Sequence, residues 1–148
     1  MNREHVHAFD AALQDANLWL KALMDRLVTE DPRFAYAALR SVLHALRDSL
    51  GTRGAAHLSA QLPMLIRGLL FEGWHPAAAP GQGNRGEGFL ERVRKGLPQD
   101  ERYDVENVTH AVFGLLWERL DRGEVVRIVQ SLPEELRDLW PATTLPQR

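Results

Sequence analysis

Residues 19–70 slide onto residues 89–140 without a gap, and the matches fall where a helical protein needs them. The identical pairs are Leu20/Leu90, Leu27/Leu97, Val42/Val112, Leu46/Leu116, Leu50/Leu120, Leu62/Leu132, Pro63/Pro133, Arg67/Arg137 and Leu69/Leu139. Conservative partners share the frame at Trp19/Phe89, Leu43/Phe113, Asp48/Glu118 and Leu58/Ile128. Most of these positions are apolar and lie on a helical period, and one is a helix-breaking proline. A unit repeated at a fixed offset has an apolar face to bury, and its own copy is the nearest cover. The expected fold is therefore all-α: two tandem copies of a helical unit, about eight helices, packed with pseudo-twofold symmetry into one compact domain.

The period itself is explicit in the first helix. Phe9, Leu13, Ala16, Leu20, Leu23 and Leu27 are spaced 4-3-4-3-4, one continuous stripe widened by Leu18, Trp19 and Met24. In "TEDPRF", Asp31 is placed to cap the next helix and Pro32 to occupy its first position, where a missing N–H costs nothing. That second helix turns Ala35, Leu39, Val42, Leu43, Leu46 and Leu50 inward and ends at Gly51. Thr52 to Gln61 reads as a short third helix. Leu62 precedes a proline and is therefore expected to be extended, with a fourth helix starting at Pro63. In the second copy, Asp121 with Glu124 and Ser131 with Glu134 both have capping-box spacing.

"GWHPAAAPGQGNRGEG" interrupts this pattern with proline, alanine and glycine and with almost nothing to bury. The chain accordingly divides into a first repeat at 1–72, a linker at 73–88, a second repeat at 89–140 and a tail at 141–148. The linker contains a literal G-x-G-x-x-G, Gly81 to Gly86. Phosphate binding by such a loop needs a strand before it and a helix after it, and no strand precedes this one.

Composition removes several functions. There is no cysteine, so disulfides, iron–sulfur clusters and thiolate chemistry are excluded, and a reducing cytoplasm is the expected compartment. The net charge of −2 gives no basic excess for a phosphate backbone. The most basic window, Arg85 to Arg102, interleaves Arg92, Arg94 and Lys95 with Glu87, Glu91, Asp100 and Glu101, so no nucleic-acid partner is expected. No segment has the apolar length of a membrane span. No serine sits in a nucleophile elbow, and a non-enzymatic protein without a cofactor is expected.

The segments "WLKAL", "AYAALRSVLHALRDSL", "AAHLSAQLPMLIRGLLFEGWHP" and "FLERV" resemble the DUF2267 family, a group of small bacterial all-helical proteins. The resemblance runs from about Asn17 to Trp140, and "AQLPMLIRGLLFEGW" is its most specific part. It implies the helical fold and brings no catalytic residue, cofactor or substrate with it.

Few residues qualify as a site. His5, His7 and Asp10 hint at a metal, but histidines two apart on a helix point about 200° from each other, and no completing ligand follows. His44, His57 and His110 hold no position common to both copies. Asp48/Glu118 and Arg67/Arg137 are polar positions that both copies keep, and one acid–arginine salt bridge per half is the expected use.

The copies differ at the fourth helix. "LPMLIRGLLFEGW" has Met64 and Leu65 where "LPEELRDLW" has Glu134 and Glu135. A helix apolar around more of its circumference is covered on more than one side. Either the long first helix covers it, or it forms an interface with a partner or a second copy. Met64, Leu65, Phe71 and Trp74 are the interface candidates, with Trp117 as a further anchor. The expected function is a helical interaction module, a homodimer or one binding an unidentified protein. The alternative is a small-ligand or metal-binding protein that uses the groove between the repeats.

Overall fold

The computed structural model describes residues 6–76 and 88–141, so the Gly81–Gly86 motif, most of the linker, His5 and the tail beyond residue 141 lie outside the described residues. Among the described residues the chain is all-helical, without strands. The helices are α1 (His7–Leu27), α2 (Pro32–Ala60), α3 (Met64–Phe71), α4 (Phe89–Lys95), α5 (Val105–Arg119), α6 (Arg122–Ser131) and α7 (Glu134–Arg137).

Local chemistry accounts for the boundaries. Asp31 accepts a hydrogen bond from the Arg33 N–H at 3.0 Å with Pro32 at the first position of α2, and Asp104 and Asp121 cap α5 and α6 in the same way. Ser131 departs from its expected capping role. Its hydroxyl donates back to the Ile128 carbonyl at 2.7 Å, because Pro133 itself stands at the N-cap of α7. Leu132, ahead of that proline, is extended, with φ −86° and ψ 155°.

Among the described residues the count is seven rather than eight because α2 runs on beyond Gly51. At Gly51 the backbone leaves the helix, with φ 75° and ψ 179°, and then resumes it. Only glycine adopts that conformation without strain. The break separates α2 into the two segments expected from the sequence while leaving them one continuous element.

α2 and α5 form the centre. α1 packs on both of them, and so does α4. α3 closes against α1 and α2, α6 against α2 and α5, and α7 follows α6. One apolar core joins both sides of the linker, from Trp19, Leu23 and Leu43 to Phe113, Val129 and Trp140. In its second half Phe113 stacks on Trp140 at 3.9 Å between ring centroids. The close approach of α4 to α2 has a local requirement. A Cβ at Gly96, just past α4, would lie 1.8 Å from the Ser41 hydroxyl on α2.

The first helix corrects one expectation. Trp19, Leu23 and Leu27 are buried as the stripe requires, but Phe9 and Leu13 are exposed. From His7 to Leu18 only Ala12 is buried, because α1 extends past the helices that cover its second half.

Candidate functional site

The polar residues matched by the alignment of residues 19–70 with 89–140 do not pair as expected. Neither Asp48–Arg67 nor Glu118–Arg137 forms. Arg67 instead donates to the carbonyls of Ser59 at 2.9 Å and Leu62 at 3.0 Å. Arg137 donates to those of Gln130 at 2.8 Å and Leu132 at 3.2 Å. Each guanidinium thus reaches back from α3 or α7 to satisfy carbonyls left open where the preceding helix ends.

The acids reach across the molecule. Asp48 on α2 faces Arg92 on α4 at 3.8 Å and is also paired with its neighbour Arg47 at 2.9 Å. Glu118 on α5 pairs with Arg26 on α1 at 2.8 Å. Both acids stand near the C-terminal ends of central segments, and α4 and α1 are the helices that cross there. The Arg26 hydrogen bond holds the Glu118 carboxyl below the ordinary range, against a smaller opposing effect of burial. That pair is half-exposed and contributes at most ~1 kcal/mol.

Arg47 is the polar residue most deeply committed to the fold. Its buried guanidinium donates to the carbonyls of Leu70 and Glu72, both at 2.9 Å, and so ties the end of α3 to α2. Beside it the His44 ring donates through Nε2 to the Leu69 carbonyl at 2.8 Å. Burial lowers the His44 pKa most, the Leu69 carbonyl raises it, and the cationic Arg47 and Arg40 lower it further. His110, one turn earlier in its own helix, donates through Nδ1 to the Leu139 carbonyl at 2.8 Å. Two histidines that the offset alignment does not match therefore hold carbonyls of two leucines that it does, Leu69 and Leu139. Position-by-position alignment misses this, because the imidazoles start one helical turn apart.

His7 and Asp10 lie exposed in the first turn of α1. Among the described residues no three ligating side chains gather. An open cleft of about 780 Å³ between the end of α1 and the start of α5 is lined by Arg26, Arg102, Tyr103 and His110. Three of its polar groups are already engaged, Arg26 with Glu118, Arg102 with Asp100 and His110 with Leu139.

The apolar candidates divide. Phe71 and Trp74 are half-buried and pack on each other at 5.0 Å between ring centroids. Trp117 is half-buried beneath the Arg122 guanidinium, 4.8 Å from the ring centroid. Met64 and Leu65 are exposed even though α1 packs against α3. Beside Leu65 a groove of about 430 Å³ opens between α1, α2 and α3, with Leu20, Tyr36 and Leu69 among its walls. Phe9 and Leu13 continue its α1 wall toward the N-terminus. The sequence puts those two on the same stripe as the buried residues, since a stripe shows its period and not the length of its cover.

No described helix is long and apolar enough to cross a membrane. A search of curated proteins finds no match to the chain. Residues 16–139, which include all of α2 to α7 and α1 from Ala16 onward but not Phe9 or Leu13, match the family described as uncharacterized conserved protein (DUF2267), and the chain belongs to that family.

Proposed function

We propose that the protein is a non-enzymatic helical interaction module that works in the bacterial cytoplasm by self-association or by binding a protein partner. The observation that carries this reading is the exposure of Leu65 and Met64 on α3 together with Phe9 and Leu13 on α1. Large apolar side chains left exposed on two neighbouring helices, with Leu65 lining the groove between them, favour a protein surface as their cover. The compartment rests on the cysteine-free composition.

The scaffold is two tandem copies related by a pseudo-twofold axis. Three relations support this. α1 and α4 each pack on both central helices. Arg67 and Arg137 each cap the helix before them. Each central acid is answered by an arginine from beyond the linker, Asp48 by Arg92 and Glu118 by Arg26. On this reading the first copy carries an added apolar face, and the second, with Glu134 and Glu135, keeps a solvated one.

A photoreactive amino acid at Leu65, expressed in the native host, tests the reading. Expected is a protein adduct, to this chain or to another, that is absent when the probe stands at the exposed Val28. No adduct at Leu65 at any expression level would overturn it.

A second reading, a small-ligand protein, rests on one cleft between α2 and α6. It has about 320 Å³ with an apolar floor of Leu50 and Ile128, ringed by Arg53, His57 and Arg127, the last paired with Glu124 on the same rim. The chemistry fits a small organic anion. A set of such anions that leaves the melting temperature of both the wild type and Arg53→Ala unchanged rejects it.

A further inference from the structure

We infer that the partner of the α1–α3 groove is a second copy of this chain, docked through antiparallel pairing of the two α1 helices. The inference rests on the interaction-module reading and names its partner.

The first half of α1 needs a cover. Twelve residues, His7 to Leu18, run with only Ala12 buried and Ala16 half-buried, and a helix this short is marginal in water without packing. Phe9 is 68% exposed and Leu13 56%. The chain outside the described residues is poor in material to cover them. Residues 1–5 read "MNREH", with one methionine, residues 77–87 read "AAAPGQGNRGE", with no large apolar side chain, and residues 142–148 contain a single leucine.

The stripe is complementary to itself. Phe9, Leu13, Ala16 and Leu20 keep the 4-3-4 spacing of a helix–helix seam. Laid antiparallel, Phe9 of one copy falls opposite Leu20 of the other, and Leu13 falls opposite Ala16. Large residues from the protruding half thus enter the groove beside the covered half, and the twofold repeats the contact. The polar flank agrees. At 100° per residue, Asp10 and Lys21 lie on one side of the stripe, as do Gln14 and Asn17. A perpendicular twofold keeps that side facing itself, which brings Asp10 near Lys21 of the second copy and Gln14 near its Asn17.

The area suffices. Phe9, Leu13, Tyr36 (47% exposed) and Leu65 (45%) leave roughly 400 Å² of side chain in water, on the scale of ~200 Å² for a large side chain. A standard interface of ~800 Å² per copy, ~65% apolar at its core, requires roughly 500 Å². Ala16, Leu20 and Leu69, all half-buried, supply the remainder.

The test is the mass in solution by light scattering across a dilution series, with far-UV circular dichroism to confirm folding. Expected is twice the 16.8 kDa chain mass at about 100 µM, where a micromolar dimer is well populated. Phe9→Glu and Leu13→Glu should run at the mass of one chain while still unfolding cooperatively, with a loss of helicity no larger than the first half of α1. Because the chain has no cysteine, Leu13→Cys should be joined to its copy by a short bismaleimide, and Val28→Cys, at the far end of α1, should not. A wild type that is monomeric at about 100 µM, or a dimer indifferent to Leu13→Glu, overturns the inference. A Leu65 photoadduct to some other protein would also overturn it while leaving the interaction-module reading in place.

Discussion

Gly96 shows how much a single missing side chain can decide. The Ser41 hydroxyl occupies the space a Cβ would need, and both lie where α4 meets α2. Gly96→Ala should therefore cost about 1–3 kcal/mol in chemical denaturation. Ser41→Ala should recover part of that loss, and a double-mutant cycle with additive effects would contradict the proposed clash. His44 has a different signature. Its folded-state pKa lies below the ordinary 6.5, so the unfolded chain binds the proton more readily. Stability is then full above that value and is lost as pH falls through the folded pKa. Denaturant midpoints between about pH 7 and pH 5 should show this slope, and His44→Gln should remove it. The Glu118 effect has the same sign but belongs below its ordinary 4.5, so the two windows are separable.

At the scale of the helix, arginines do work that the sequence suggested for salt bridges. Arg47 is buried and supplies two carbonyls at the end of α3, whereas Arg67 supplies two from a more exposed position. Arg47→Ala should cost about 3 kcal/mol and Arg67→Ala about 1, read as shifts in urea midpoint. Arg67→Lys should not restore the loss, since an ammonium cannot span two carbonyls as a planar fork does. What was legible beforehand follows the same division. Asp31, Pro32, Gly51, Pro63 and the 3.6-residue period act within a few residues of chain, and the helices begin and break where they direct. The partners of Asp48 and Glu118 were not legible, because Arg92 and Arg26 are brought to them by packing between elements far apart in the chain. Phe9 and Leu13 fall in the same class: period shows which face of a helix is apolar, and only the length of the neighbours shows how much of it is covered.

For the whole molecule, one core spans the linker, so neither half has a complete interior of its own. Residues 1–72 expressed alone should show no cooperative thermal transition, whereas the full chain should unfold in a single one. Two resolved transitions in the full chain would mean that the halves are independent, contrary to the shared core. The metal, ligand and interface candidates were least legible of all, since a site depends on which side chains the assembled core leaves uncovered.

The crossing of α1 onto α5 also has a consequence in time. Arg26 and Glu118 are 92 residues apart, so during synthesis α1 leaves the ribosome long before the helix it packs against. α2 and α3 follow α1 directly and can cover part of its stripe, but the side of α1 that packs on α5 must remain uncovered until α5 has emerged, and folding cannot finish one half at a time. Ribosome-stalled chains ending near residue 76 should be open to protease along α1, and chains carrying α5 clear of the exit tunnel should not.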